Sequence, residues 1–311
     1  MLLSVIIPCY NEENNITPLY RSITEELAAF LPRTELIFIN DGSNDRTRET
    51  ILSLFDDKKV KCRLISFSRN FGKEAALLAG LEHAKGEFCA IIDADLQQDP
   101  RYIVRMLEII GENPEYDGVC AYQSQRGDGK TLSFFKNCFY KLINQITEIE
   151  FYRSASDFRV LNRKMVDAIL SMPEKRRFSK GIFSWVGFKV CYIPYEAQKR
   201  QEGKTKWNFG KLLSYAIDGI VAFSDKPLIL SSVLGVILFF ISMIMLSVLV
   251  IKTLIFGDPV AGFPTLASLI LLSSGIQLLC LGILGQYLAK MYGEIKGRPV
   301  YIIKEQMDNK T

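Results

Sequence analysis

The sequence predicts an α/β domain on a mainly parallel sheet, followed by a C-terminal hairpin of two transmembrane helices. Three observations predict it. Short apolar runs rich in β-branched residues alternate with helical patterns over the first 120 or so positions. The first four of those runs each end in a cluster of polar residues. Two later stretches, Pro227 to Ile251 and Pro259 to Ala289, contain no charged residue.

The strand runs begin near Ser4, Leu36, Cys62, Cys89 and Gly118. They are continuously apolar rather than alternating, as expected of strands covered by helices on both faces. Helical patterns lie between them, at about 16–30, 46–55, 73–84 and 102–111. Ser43 or Asp45 can cap the second helix and Pro100 can precede the fourth. His83, the one histidine, and Gly86 sit at a helix end and read as structural.

In an open parallel sheet, ligands bind beyond the carboxyl ends of the strands. There the sequence places Pro8, Tyr10, Asn11, Glu12 and Glu13, then Asn40 to Ser43, then Ser68 to Lys73, then Asp93, Asp95, Gln97 and Gln98. Four such clusters imply one shared crevice. No GxGxxG follows the first strand and no GxxxxGK[ST] occurs, which disfavours a dinucleotide site and excludes a P-loop. Asp93-Ala94-Asp95 ends the fourth apolar run, and its carboxylates can approach one hard divalent cation, with Gln97 adding a carbonyl oxygen. An isolated Asp-x-Asp is equally well a polar strand terminus; its place on a crevice shared with Asp41 and Lys73 favours the site. Basic clusters follow at Lys175, Arg176, Arg177 and Lys180, and at Lys199, Arg200, Lys204 and Lys206 beside Trp207. Any one of them could be a solvated face; beside a diphosphate site they would compensate anionic ligands.

The net charge of +4 is too mild to argue for nucleic acid. None of the seven cysteines forms a CxxC or neighbours His83, so a zinc site is not expected and a reducing compartment is. Only three residues precede the first strand run, too few for a secretion signal, and the first domain is expected in the cytoplasm. A bilayer core needs about 20 apolar residues in a helix, fewer than either uncharged stretch supplies. Lys226 before the first span and Lys290, Lys296 and Arg298 after the second place both termini in the cytoplasm by the positive-inside rule. A pair of helices buried in a soluble bundle is the alternative. Residues 211–223 form an amphipathic pattern leading into the first span, read as a helix in the membrane interface. The pattern at 131–146 fits the interface or the protein's own core equally. The expected organisation is thus a soluble domain at 1–210, an interfacial helix at 211–226, two spans within 227–289 and a cytoplasmic tail at 290–311.

These motifs in order resemble the inverting A-fold glycosyltransferases that act on polyprenyl phosphates, in particular the bactoprenol (undecaprenyl-phosphate) glucosyltransferase-like subgroup. The stretches are SVIIPCYNEE at 4–13, INDGSNDRT at 39–47, SRNFGKEAAL at 68–77 and DADLQQDP at 93–100. DFRVLNR at 157–163, RFSKGIFSWVGF at 177–188, RQEGKTKW at 200–207, FGDPVAGFPTL at 256–266 and GRPVYIIKE at 297–305 continue them.

The resemblance covers nearly the whole chain. It implies transfer of a hexose from UDP-glucose or a similar donor to undecaprenyl phosphate at the cytoplasmic membrane, with Mg2+ or Mn2+ as cofactor. It implies that Pro8, Tyr10, Glu12 and Asp41 hold the nucleoside and that Lys73 and Asp93 contact the donor. Asp95 with Gln97 would hold the metal, Arg200 and Lys206 would meet the donor phosphates, and Asp157 matches the position of a catalytic base. Arg126, Lys130, Arg159 and Arg177 are the expected acceptor contacts. Two departures touch this set. Relatives often write DLQDP where this chain has DLQQDP, and they carry more basic residues near Arg126 and Lys130. N-acetylglucosamine, mannose and aminoarabinose donors suit the same scaffold, and a homo-oligomer is left open. Processive polysaccharide synthesis would need a pore that two spans do not easily enclose. A non-catalytic membrane scaffold would not need Asp93, Asp95, Asp157 and Arg200 together.

Overall fold

A computed structural model describes residues 2–123, 155–175, 177–196, 224, 226–256 and 262–309. Of the residues singled out above, Arg126, Lys130, Arg176, Lys199, Arg200, Lys204, Lys206 and Trp207, with both amphipathic patterns, lie outside them. The chain forms two compact units, one of residues 1–144, 149–209 and 298–311, the other of 145–148 and 210–297.

The first unit is built on strands β1 (Leu3–Cys9), β2 (Thr34–Asn40), β3 (Lys61–Phe67), β4 (Phe88–Ile91), β5 (Gly118–Gln123), β6 (Ala155–Asn162), β7 (Val190–Tyr195) and β8 (Ile303–Asp308). They make one sheet in the order β7-β5-β6-β4-β1-β2-β3-β8. Helices α1 (Ile16–Glu26), α2 (Thr47–Ser53), α3 (Lys73–His83) and α4 (Arg101–Glu112) connect the first five strands. β4, β1, β2 and β3 run parallel, as do β5 and β7, while β6 and β8 are antiparallel to their neighbours. The first five strands and four helices match the sequence reading to within a few residues; β6, β7 and β8 are additions.

The central strands are buried on both faces, with Val5, Ile6, Ile7, Leu36, Ile37, Phe38 and Ile39 fully enclosed. This is why their runs read as unbroken apolar stretches. α3 packs closely on β1 because Gly80 faces Ile6, where a Cβ would stand only 2.2 Å from Ile6 Cγ2. The helix is therefore apolar along most of its length, with Ala75 to Leu81 all buried. Two short helices, α5 (Arg163–Leu170) and α6 (Ser179–Trp185), follow β6. Asn162 caps α5 by accepting from Met165 N at 2.8 Å.

The residues expected as a tail do two things. Residues up to Ile295 complete the last helix, and Ile303–Asp308 return to the sheet as β8, antiparallel to β3. Arg48 Nη2 meets Glu305 Oε1 at 2.6 Å and Arg63 Nε meets Asp308 Oδ1 at 2.7 Å. Tyr301 stacks on Phe67 with ring centroids 4.8 Å apart.

The second unit is a helical pair, α7 (Lys226–Phe256) and α8 (Phe263–Ile295). Each is long and apolar enough to cross a membrane, over Lys226–Met245 and Leu272–Ile295. Their apolar side chains point outward: Ile229, Phe240, Ile244, Leu272, Leu278 and Leu281 are all exposed. A soluble bundle would bury such faces, so the helices are not core helices of the chain itself. Cys280 Sγ on Ser231 O (3.7 Å) and Tyr287 OH on Ser224 O (2.6 Å) fasten the pair.

Candidate functional site

The loops after β1, β2, β3 and β4 meet at the carboxyl edge of the sheet, as the sequence implies. Those after β1 and β2 are laced together. Asn11, in the left-handed region at φ 57, accepts from Asn44 N through its Oδ1 at 2.9 Å. Its own amide donates to Ser43 Oγ at 3.0 Å. Glu12 N donates to Thr47 Oγ1 (2.8 Å), and Asp45 Oδ1 accepts from Thr47 N (3.0 Å) and Oγ1 (2.6 Å). Glu12 Oε2 in turn accepts from Asn15 Nδ2 at 2.6 Å. Pro8, Tyr10 and Glu12 remain partly exposed on this wall.

Asp41 is buried, and both its oxygens are engaged: Phe71 N donates to Oδ1 at 2.6 Å and Gly72 N to Oδ2 at 2.9 Å. Burial pushes its carboxyl up, and the two amides oppose that shift. The geometry thus makes Asp41 the anchor of the β3–α3 loop rather than an open donor contact. Gly42 permits this closeness. At φ 65, a Cβ there would lie 2.3 Å from the carbonyl carbon of Arg69.

Lys73, the first residue of α3, spans the crevice. Its Nζ lies 2.6 Å from Asp93 Oδ1 and 2.7 Å from Asp157 Oδ2. Burial acts to lower the ammonium, but Asp93 and Asp157 hold it above its ordinary value. For Asp157, burial acts to raise the carboxyl; Lys73, Lys180 and Arg159 overcome it and hold the group well below the usual carboxylate range. Asp157 is thus carried by β6, a strand the sequence reading did not place, to the same point as Asp93.

The extra glutamine of DLQQDP has a defined place. Gln98 is buried; its Oε1 accepts from Asp93 N at 2.9 Å and its Nε2 donates to Asp93 Oδ2 at 3.0 Å. It thereby fixes the rotamer in which Asp93 meets Lys73. Leu96, at φ 60, turns the chain between the acidic pair and this anchor. Asp95 and Gln97 are partly exposed on the same turn, and Gln97 N donates to Asp95 Oδ1 at 3.2 Å. Among the described residues no three metal-ligating side chains converge. With Asp93 occupied by Lys73 and Gln98, Asp95 and Gln97 are the side chains on this turn left to meet a cation, and a cation bound there would need ligand phosphates to complete its shell. Magnesium commonly binds in that way.

Two of the expected acceptor cations are placed differently. Arg159 is buried, donates through Nη2 to Ser156 O at 2.6 Å, and lies 3.9 Å over the Phe183 ring. Arg177 donates to Met172 O (3.2 Å) and Ile169 O (2.9 Å), closing the end of α5. Carbonyls near a helix end are natural partners for a guanidinium, and both of these arginines, which the resemblance implies as acceptor contacts, donate to protein carbonyls in the structure. Glu74 and Ser179, which no sequence motif marks as a pair, also join here. Glu74 Oε2 accepts from Ser179 N at 2.8 Å and from Ser179 Oγ.

A mainly parallel sheet with an acidic pair at the end of β4 and a lysine-bridged carboxylate opposite defines an A-type glycosyltransferase. The chain belongs to glycosyltransferase family 2, whose model matches residues 4–170. It is 39% identical to the SfII prophage-derived bactoprenol glucosyl transferase of Shigella flexneri, over 98% of each chain. It is also 39% identical to the prophage bactoprenol glucosyl transferase homolog of Escherichia coli K12, over 98% of this chain and 99% of that one. Among solved structures, glucosyl-3-phosphoglycerate synthase of Mycobacterium tuberculosis with Mn2+, UDP and phosphoglyceric acid is similar in fold. It is 16% identical at a TM-score of 0.51, covering 71% of this chain and 76% of that one.

Proposed function

We propose that the protein transfers glucose from UDP-glucose to undecaprenyl phosphate at the cytoplasmic face of a membrane, with inversion and with Mg2+ or Mn2+ as cofactor. The observation that carries this reading is the 39% identity to bactoprenol glucosyl transferases along 98% of both chains, through the catalytic unit and the apolar helices alike. A phosphate oxygen of the acceptor attacks the anomeric carbon, that carbon's bond to the UDP oxygen breaks, and UDP leaves with the bonding pair.

Asp95 with Gln97 would hold a divalent cation, which when bound would neutralise charge on the leaving diphosphate. Pro8, Tyr10 and Glu12 form the nucleoside wall, with Asp41 shaping it from behind. Asp93 and Lys73 orient the sugar end of the donor, and Arg200 and Lys206 meet its phosphates. Arg126 and Lys130 supply acceptor contacts. A phosphate monoester has a second pKa of about 6 and needs little help to become a nucleophile. A carboxylate held as low as Asp157 is also a weak proton acceptor. Asp157 therefore serves to position Lys73 and the acceptor.

The hairpin of α7 and α8 crosses the membrane twice. Support comes from the lysines and arginines flanking it and from β8, which pairs with β3 after the second helix and so belongs on the catalytic side. The test is purified protein with a panel of nucleotide sugars and a short-chain polyprenyl phosphate. Label from UDP-glucose is expected in an acid-labile, butanol-extractable lipid. Transfer only from another nucleotide sugar reassigns the donor, and label in a polymer would refute the lipid acceptor.

A further inference from the structure

An incoming phosphate meets an adverse charge balance at Asp157. Lys73 is shared between two carboxylates, so that trio carries net negative charge. The Arg159 guanidinium is buried on Ser156 O and Phe183, and Arg177 donates to the carbonyls at the end of α5. A group bearing about −1.5 to −2 charges needs a further cation there.

Lys180 has the position for it. It is the second residue of α6 and partly exposed, and among the described residues its ammonium makes no hydrogen bond or ion pair. The backbone on either side of it is fastened to the elements that carry the reacting groups. On one side Ser179 donates to Glu74 Oε2 through both N and Oγ, and Glu74 adjoins Lys73 at the start of α3. On the other side Phe183 lies under Arg159, two residues along β6 from Asp157. Ser179 is itself buried. The positive charge of Lys180 reaches Asp157, where with Lys73 and Arg159 it keeps that carboxyl ionised.

We propose that Lys180 is a cation that receives the acceptor's phosphate beside Asp157, in addition to the contacts proposed for Arg126 and Lys130, and that Glu74 and Ser179 are positioning residues that set it there. The inference rests on the polyprenyl-phosphate reading above. Lysine suits the task as a compact point charge on a flexible stem.

The experiment is steady-state kinetics with UDP-glucose and a short-chain polyprenyl phosphate on wild type, Lys180→Ala, Lys180→Arg, Ser179→Ala and Lys180→Ala/Ser179→Ala. Lys180→Ala is expected to raise the acceptor KM about 10- to 100-fold, the range for losing a hydrogen bond to a charged group. The KM for UDP-glucose should stay within about twofold, because the lost binding is confined to the acceptor. Lys180→Arg should recover part of the loss. Ser179→Ala should raise the acceptor KM less, and its effect should vanish when Lys180 is already alanine, since it acts through that side chain. An unchanged acceptor KM in Lys180→Ala overturns the proposal. Full additivity in the double variant overturns the positioning role. A wild type that glycosylates no polyprenyl phosphate refutes the functional reading itself, whereas an active wild type with an indifferent Lys180→Ala refutes only the inference.

Discussion

Lys73 Nζ stands 2.7 Å from Asp157 Oδ2, joining the start of α3 to a strand that enters the sheet more than 80 residues later. The same ammonium is 2.6 Å from Asp93. One cation thus sets two carboxylates from different strands at a fixed separation. Lys73→Met should abolish this spacing and lower kcat by about 100-fold, the cost of misplacing reacting groups by about 1 Å. Its effect on stability should fall short of the roughly 3–5 kcal/mol seen for a broken buried pair, because the Lys73 side chain is 42% exposed. Transfer rates and denaturant midpoints check the two halves separately. A variant whose denaturant midpoint falls sharply while its kcat stays near that of wild type would show that the lysine is structural.

The depressed carboxyl of Asp157 has a signed consequence for pH. Its folded pKa lies below its unfolded value, so the stability it contributes is present above about 4, the unfolded carboxylate pKa. That contribution is lost as pH falls below this value through the folded one. Melting temperatures measured from pH 6 down to 3 should show a drop in wild type that is smaller in Asp157→Asn. In the rate profile the acceptor's ionisation near pH 6 should appear, and no limb from Asp157 at neutral pH. Asp157→Asn should be slow at every pH, with weakened acceptor binding. A steep recovery at high pH would instead restore the role of base, and an unchanged rate would remove Asp157 from the site.

The parallel core was legible because burial on both faces writes itself as unbroken runs such as Val5 to Ile7 and Leu36 to Ile39. The crevice was legible because polar residues cluster where those runs end. β6 and β8 were not. DFRVLNR contains four charged or amide side chains, and Ile303–Asp308 runs lysine, glutamate and glutamine in succession along an edge exposed to solvent. Such strands are specified by their partners rather than by their own pattern. The same limit governed the site. Asp41 and Arg159 are chemically suited to ligands, but only the fold shows their polar atoms turned onto backbone groups. Gln98 looked like an insertion, and its two bonds to Asp93 depend on the turn at Leu96.

Removal of the divalent cation tests the Asp95 turn. EDTA should abolish transfer and Mg2+ or Mn2+ should restore it, because the leaving diphosphate loses its neutralising charge. Asp95→Ala should remain inactive at any metal concentration and should lose the metal-dependent strengthening of UDP binding. Gln98→Ala should keep that strengthening, since Gln98 orients Asp93 and not the metal-side residues. Its kcat should nevertheless fall by about tenfold or more as Asp93 leaves its geometry. Full activity in EDTA would refute the cofactor assignment.

Asp308 ends β8 and Asn309 follows it, and the two have different expected costs. Asn309 is buried, and its side chain satisfies two backbone groups of the first unit: Cys62 N donates to its Oδ1 at 2.8 Å, and its Nδ2 donates to Val60 O at 2.9 Å. Its own amide adds a bond to Cys62 O at 2.9 Å. Asn309→Ala leaves the first two partners unpaired at the edge of the core, for a cost of about 1–3 kcal/mol each if no water replaces it. Asp308 pairs with Arg63 at 2.7 Å, but its side chain is 53% exposed. Asp308→Ala should therefore cost only about 0–1 kcal/mol in the solvent-screened limit. Loss of the whole strand, by truncation after Gly297, should do more than either. It uncovers the amides of β3 as an open edge, and the shortened protein should aggregate on mild heating. Chemical denaturation of the two point variants and light scattering of the truncation measure these effects. A larger loss for Asp308→Ala than for Asn309→Ala would show that charge, not backbone satisfaction, holds the C-terminal strand to the sheet.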